Sequence, residues 1–180
     1  MKHLNARCAR WVLALMWLGM GPLLSQAQTI FSEDFNAGAI PPTWTLVDND
    51  GLTVAANLAA FNFNAAWVAV EEGSGGTEFA AAAASWYDPA GTADDWMITP
   101  QISLPAGSGY ALNWRAYSGS GAFPDGYQVL VSTTGTALTD FTDTVFTIAG
   151  ENGAPPQTDR TVDLSAYAGQ DIHLAWRNNT

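Results

Sequence analysis

Acidic side chains are the groups in this sequence best suited to chemistry. Asp48-Asn49-Asp50-Gly51 places two carboxylates two residues apart in a stretch with turn composition. Asp94-Asp95 forms a second acidic pair, and Glu33 lies upstream of both. Ca²⁺ takes roughly six to eight oxygen ligands, mostly carboxylates and carbonyls. A structural Ca²⁺ near Glu33, Asp48 and Asp50, joined by Asp95, is the expectation. Asp48 to Gly51 matches only the opening of a calcium-binding loop, and an ordinary turn with solvated acids is the alternative reading.

The second group is aromatic. Trp86-Tyr87-Asp88 falls in a stretch that reads as loop. Sugar rings stack on Trp and Tyr faces while Asp, Asn or Arg read the hydroxyls, so this triplet is a candidate ligand site. Asn113 and Arg115 alternate with core residues on a strand that reads as central, which puts them on its outer face as a second candidate patch. The alternatives are an aromatic cap on the end of the core and an ordinary wet face.

Catalysis is poorly supplied. After residue 27 there is one His, His173, and no Cys. His173 alternates with apolar residues and is expected to face outward, where Asp171 could pair with it. No Ser sits in a nucleophile-elbow pattern. Glu71-Glu72 and Asp94-Asp95 are adjacent in sequence, so on a strand each pair points to opposite faces and cannot flank one glycosidic bond. The reading is therefore non-enzymatic, with a jelly-roll glycosidase as the distant alternative.

These groups need a scaffold, and the pattern from 93 to 116 supplies it. Trp96, Ile98, Ile102 and Leu104 recur every second residue, with Pro100 interrupting. After a Pro/Gly turn the beat resumes with Tyr110, Leu112 and Trp114. Period two gives each strand one oily face, and the two runs read as neighbouring antiparallel strands. Further strands are expected at 30–35, 43–47, 67–71, 79–85, 127–132, 145–148, 160–164 and 171–177. Short strands between turn clusters, without long amphipathic helices, predict an all-β jelly-roll β-sandwich of two antiparallel sheets. A sandwich of this kind would normally close with one more strand after residue 177, so a missing final strand and one unpaired edge are expected.

Residues 1–27 read as a signal peptide. Lys2, His3, Arg7 and Arg10 precede the apolar run Trp11 to Leu24, and Ser25-Gln26-Ala27 offers small residues for cleavage. The only Cys, Cys8, comes before the apolar run, which argues against a lipoprotein anchor. The remaining 153 residues, 28–180, suit one domain. They carry all 17 acidic residues against Arg115, Arg160 and Arg177, a net charge of −14. Such a surface repels nucleic acid and anionic membranes and favours cations.

Four segments in order, FSEDFNAGAIPPTWTLVDND at 31–50, ADDWMITPQISLPAG at 93–107, PDGYQVLVSTTG at 124–135 and TVDLSAYAGQDIHLAWRNN at 161–179, resemble the cleaved-adhesin or choice-of-anchor J domains, which are related in fold to MAM domains. The resemblance implies a bacterial secreted or cell-surface adhesion module, exported by its signal peptide and in some relatives by type IX secretion. It implies binding to a host or matrix protein, a glycan or neighbouring domains of the same polypeptide, with no membrane insertion after signal cleavage. A structural spacer or carbohydrate-binding appendage of a larger extracellular enzyme is the alternative.

Overall fold

The computed structural model describes residues 28–180 apart from 74, 108, 154 and 155. The signal-peptide expectation for 1–27 lies outside the described residues. The strands are β1 (Thr45–Asp48), β2 (Val68–Glu71), β3 (Phe79–Ala82), β4 (Asp95–Ile98), β5 (Ile102–Ser103), β6 (Ala111–Ala116), β7 (Tyr127–Ser132), β8 (Asp143–Ile148), β9 (Thr158–Asp163) and β10 (Asp171–Asn178). Three short 3₁₀ segments, Ala56–Phe61, Leu138–Asp140 and Ser165–Tyr167, complete the set among the described residues. The alanine run at 79–82 is a strand because it pairs residue for residue with β2, Val70 opposite Ala80 and Ala69 opposite Ala81. Cross-strand pairing decides against the helical preference of alanine here.

One layer is a large antiparallel sheet in the order β1-β4-β10-β7-β8, with β5 also paired to β10. The other consists of two ribbons, β2-β3 and β6-β9. The layers meet in a core where Ile172, Leu174 and Val131 of the large sheet pack with Leu164, and Leu112 and Val162 of the ribbon close over them. Trp114 of β6 stands edge-on to Trp176 of β10, ring centroids 6.3 Å apart. The result is a β-sandwich whose central hydrophobic positions are those of the two-residue beat.

The beat changes face once. Ile102 and Leu104 belong to the core between the layers, whereas Trp96 and Ile98 pack on the opposite side of the large sheet with Leu130, Phe141 and Ala175. The register explains it. Ile98 pairs with Ala175 and Ile102 with Ile172, so four steps on one strand oppose three on the other. The extra residue is accommodated at Thr99-Pro100-Gln101, where Pro100 has no N–H to give the ladder. Thr99 seals the irregularity: its N–H reaches the Leu174 carbonyl at 2.9 Å, and its hydroxyl accepts the Leu174 N–H at 2.9 Å.

Three other expectations are corrected. The runs either side of the 105–109 turn are not neighbours, because β5 pairs with β10 and β6 with β9. The turn crosses between layers instead, held by the Ser165 hydroxyl, which accepts the N–H groups of Gly109 and Tyr110 at 3.0 and 3.2 Å. Residues 30–35 are not a strand. The Glu33 carboxylate takes the N–H of Phe35 at 2.7 Å, and Phe35 has φ 58°, so local side chains consume the donors a ladder would need. Phe31 and Phe35 still work together, both packing on Trp44. His173 is half-buried with Nδ1 3.0 Å from the Thr99 carbonyl, while Asp171 accepts the Ser103 hydroxyl. Their expected pairing is absent.

All four strands of the second layer have one partner each among the described residues, β2 with β3 and β6 with β9. β6 is thus an edge strand rather than a central one. An open cleft of about 2080 Å³ runs along this side, lined by Phe79, Met97, Trp114, Leu174 and Trp176 among others.

Ile172, wholly buried between the layers, tests the core. Ile172→Ala is expected to cost about 2–5 kcal/mol in urea denaturation. Thr161→Ala, on the exposed side of β9, should stay within about 0.5 kcal/mol.

Candidate functional site

β1 and β4 bring three of the acids together. Asp48 ends β1 and pairs in register with Asp95, the first residue of β4. Asp50 follows in the turn, where Gly51 takes φ 63° and donates its N–H to Asp48 at 2.6 Å. Asp50 accepts the N–H of Leu52 at 2.7 Å and of Asp94 at 2.5 Å, which folds the turn back over β4. One carboxylate oxygen from each of Asp48, Asp50 and Asp95 lies within 4.8 Å of the other two. Glu33 is not in this group, since its carboxylate is turned to the N–H groups of Asp34 and Phe35.

Asp95 is 5% exposed. Burial pushes its carboxyl up to about 6; the Tyr87 hydrogen bond opposes this, and the nearby charges of Asp50, Asp48 and Asp94 add to it. A buried carboxylate facing two others is costly unless a cation or proton joins it. An all-oxygen donor set graded from buried Asp95 to exposed Asp48 suits a hard divalent cation such as Ca²⁺. The residues present therefore fit the metal that the sequence suggested.

Tyr87 is not an exposed ligand platform. It is 5% exposed, with its hydroxyl 2.8 Å from Asp95 Oδ2 and 2.7 Å from the Ala84 carbonyl. Burial first, then Asp95, raises the Tyr87 hydroxyl far above its ordinary value, so it remains a donor. Trp86, the preceding residue, points the other way and is 60% exposed. Asp88 is exposed as well, and Asn113 and Arg115 face solvent from β6. The structure thus splits the aromatic triplet, with Trp86 and Asp88 outside and Tyr87 inside.

Two ionic networks escaped the sequence reading. Asp94 accepts Arg177 Nε at 2.6 Å, Trp96 Nε1 at 2.7 Å and Asn49 Nδ2 at 2.6 Å, and the Arg177 guanidinium lies 4.9 Å above the Trp96 ring. Glu151, 2% exposed, receives Arg160 in a two-point contact of 2.6 and 3.0 Å. Tyr127 donates to Glu151 at 3.2 Å and accepts Trp114 Nε1 at 2.9 Å. The one available signal was scarcity: three arginines after residue 27 had to find partners among 17 acids.

The chain is thus a β-sandwich module with an acidic cluster at one end and exposed aromatics beside an open cleft. The chain is a member of the Cleaved Adhesin Domain family, whose profile matches residues 28–180. This bears out the resemblance carried by the four segments. Hemagglutinin A of Porphyromonas gingivalis is 27% identical over 188 residues, covering 92% of this chain and 7% of that protein. Hemagglutinin A of strain ATCC BAA-308 / W83 matches equally over 92% of this chain and 8% of its own length. The chain thus spans less than a tenth of these curated relatives. Among solved structures, the K3 cleaved adhesin domain of Lys-gingipain from P. gingivalis W83 superposes with a TM-score of 0.61 at 20% identity, covering 84% of this chain and 88% of that one. The K2 domain gives 0.59 at 23%, covering 83% and 88%. Both share the fold.

The Glu151–Arg160 pair predicts a pH signature. Burial raises the Glu151 carboxyl, but Arg160, the Asn152 N–H and Tyr127 outweigh it and hold it below the usual range. A depressed carboxylate contributes stability above its unfolded value, near pH 4.3, and loses it as pH falls through the folded value. Arg160→Met should cost about 3 kcal/mol at neutral pH by stranding a buried charge. The cost should shrink once acid protonates Glu151 in both proteins, as urea titrations at pH 7 and at about pH 2.5 will show. A cost independent of pH would mean that Arg160 acts by packing alone.

Proposed function

We propose that this chain is a secreted or cell-surface adhesion module that holds a partner without transforming it, stiffened at one end by Ca²⁺. The supporting observation is the pair of strongly exposed aromatic residues, Trp86 and Phe123, that line the open cleft. His173 is engaged by a backbone carbonyl, and Asp94 and Glu151 are engaged by arginines. Among the described residues no helix is long and apolar enough to cross a membrane. Two relatives carry the name Hemagglutinin A, which motivates erythrocyte surfaces as the first partner to try.

The test is retention of the purified chain on erythrocytes and on immobilised matrix proteins and glycans. Saturable retention on any of them supports the reading; uniform silence across all of them favours a structural spacer.

The metal is tested separately. Asp48, Asp50 and Asp95 would supply carboxylate oxygens and Ca²⁺ would offset their mutual repulsion. Ca²⁺ at about a hundred times its Kd should raise Tm by roughly 5–10 °C, and chelator should reverse it. Asp95→Asn and Asp50→Asn should each abolish the shift. A Tm indifferent to Ca²⁺ and chelator would sink the metal assignment.

A further inference from the structure

Trp86 and Phe123 are the two most exposed large apolar side chains described, at 60% and 78%. They come from different parts of the sequence but share one end of the sandwich and both line the open cleft. The link between them is polar. Ser85, next to Trp86, hydrogen-bonds its hydroxyl to Asp125, two residues beyond Phe123. Asp125 is held in turn by Ser118, whose hydroxyl accepts the Asp125 N–H at 3.1 Å. Neither aromatic dangles from a loose segment. The Trp86 carbonyl accepts the Ala55 N–H at 2.9 Å, Ser118 donates its N–H to the Asn152 carbonyl at 2.7 Å, and Glu151 donates to the Asp125 carbonyl at 2.8 Å.

Two anchored aromatic faces held in water forgo roughly 1.5–3 kcal/mol of burial each, a cost that a ligand can recover. Acceptor oxygens lie on the Phe123 loop: the Asp125 carboxylate, which accepts the Ser85 hydroxyl and keeps further lone pairs, and the carbonyls of Ser120 and Phe123, which the Ser118 hydroxyl approaches at 3.3 and 3.5 Å. A ligand with apolar ring faces and many hydroxyl donors matches this set. Charge narrows the choice. Residues 28–180 carry net −14 without a single Lys, and two of the three arginines are bound to Glu151 and Asp94. The third, Arg115, is exposed on β6 and lines the same cleft further along that strand. At the lip itself the charged side chain bonded between the two aromatic segments is Asp125, which disfavours a sialyl, uronyl or sulfate group there.

We infer that the Trp86–Phe123 lip, with Asp125 between, is a subsite for a neutral glycan. The inference rests on the adhesion reading and names its ligand class. Trp86 and Phe123 supply the stacking faces, and Asp125 accepts sugar hydroxyls.

The experiment uses the chain on an array of neutral, sialylated and sulfated oligosaccharides and Lys/Arg-rich peptides, followed by calorimetry with the best neutral oligosaccharide. Binding to neutral glycans is expected, quenching or shifting tryptophan fluorescence. Trp86→Ala and Phe123→Ala should each weaken it about tenfold and together abolish it, with Tm unchanged because both side chains are exposed. Thr147→Ala, exposed on β8 and outside the cleft, should bind as the parent does. The inference fails if no neutral glycan binds, if acidic glycans or basic peptides are preferred, or if both aromatic variants bind normally. If the array fails but erythrocytes or matrix proteins still retain the chain, the adhesion reading stands and only the ligand class is lost. Silence in both assays removes both.

Discussion

One inserted residue organises this sandwich. A strand that kept its pairing from Trp96 to Leu104 would send all four apolar side chains of its beat to one face. The extra step at Pro100 turns Ile102 and Leu104 into the core between the layers and leaves Trp96 and Ile98 on the far side of the sheet. Because side chains alternate with period two, a slip of one inverts every position beyond it. The large sheet is therefore buried on both faces, inside by the ribbon β6-β9 and outside by Val47, Leu138 and Phe141. That second burial explains why β4 is inaccessible at every position and why β7 buries Val129, Leu130, Val131 and Ser132 in succession.

The described chain holds no cysteine, so directional polar contacts take the part that disulfides take in many exported domains. Asp94 ties three parts of the sequence together, the turn at Asn49, β4 at Trp96 and the end of β10 at Arg177. Glu151 does the same for β6, β7 and β9 through Trp114, Tyr127 and Arg160. Ion pairs of this kind add little net stability over a well-packed apolar alternative. Their consequence is geometric: they fix which strand ends meet, and so where the acidic turn and the aromatic lip stand.

The sequence made most strands legible because glycine and proline punctuated a clean two-residue alternation. It failed where a local competitor was stronger. Glu33 captured backbone donors and stopped residues 30–35 from pairing, which alternation alone could not reveal. The layer change at 105–109 looked like a hairpin because a Pro/Gly turn marks a reversal without saying which neighbour receives the strand. The acids at 48, 50 and 95 were legible as a group from composition, since strand ends collect at rims. Glu33 was grouped with them by its place near the start of the domain, which the family resemblance also favoured. Phe123 was hidden because a lone aromatic in a glycine-rich loop carries no periodicity.

Tyr87 shows why the acidic end and the aromatic lip should be considered together. Its hydroxyl bonds the buried carboxylate of the acidic cluster, and its backbone leads directly from Trp86. The same hydroxyl reaches the carbonyl of Ala84, and Asn178 at the end of β10 donates to that carbonyl at 2.8 Å. The segment from 84 to 87 is thus fastened to β4 through Asp95 and to β10 through Asn178. Repulsion among Asp48, Asp50 and Asp95 acts against this fastening, because Asp95 can hold Tyr87 only while it stays in place. Any cation that lowers the repulsion therefore also steadies the segment that presents Trp86. Placing Tyr87 between the acidic cluster and Trp86 couples electrostatics at the strand ends to the position of an exposed aromatic face, with no moving part between them.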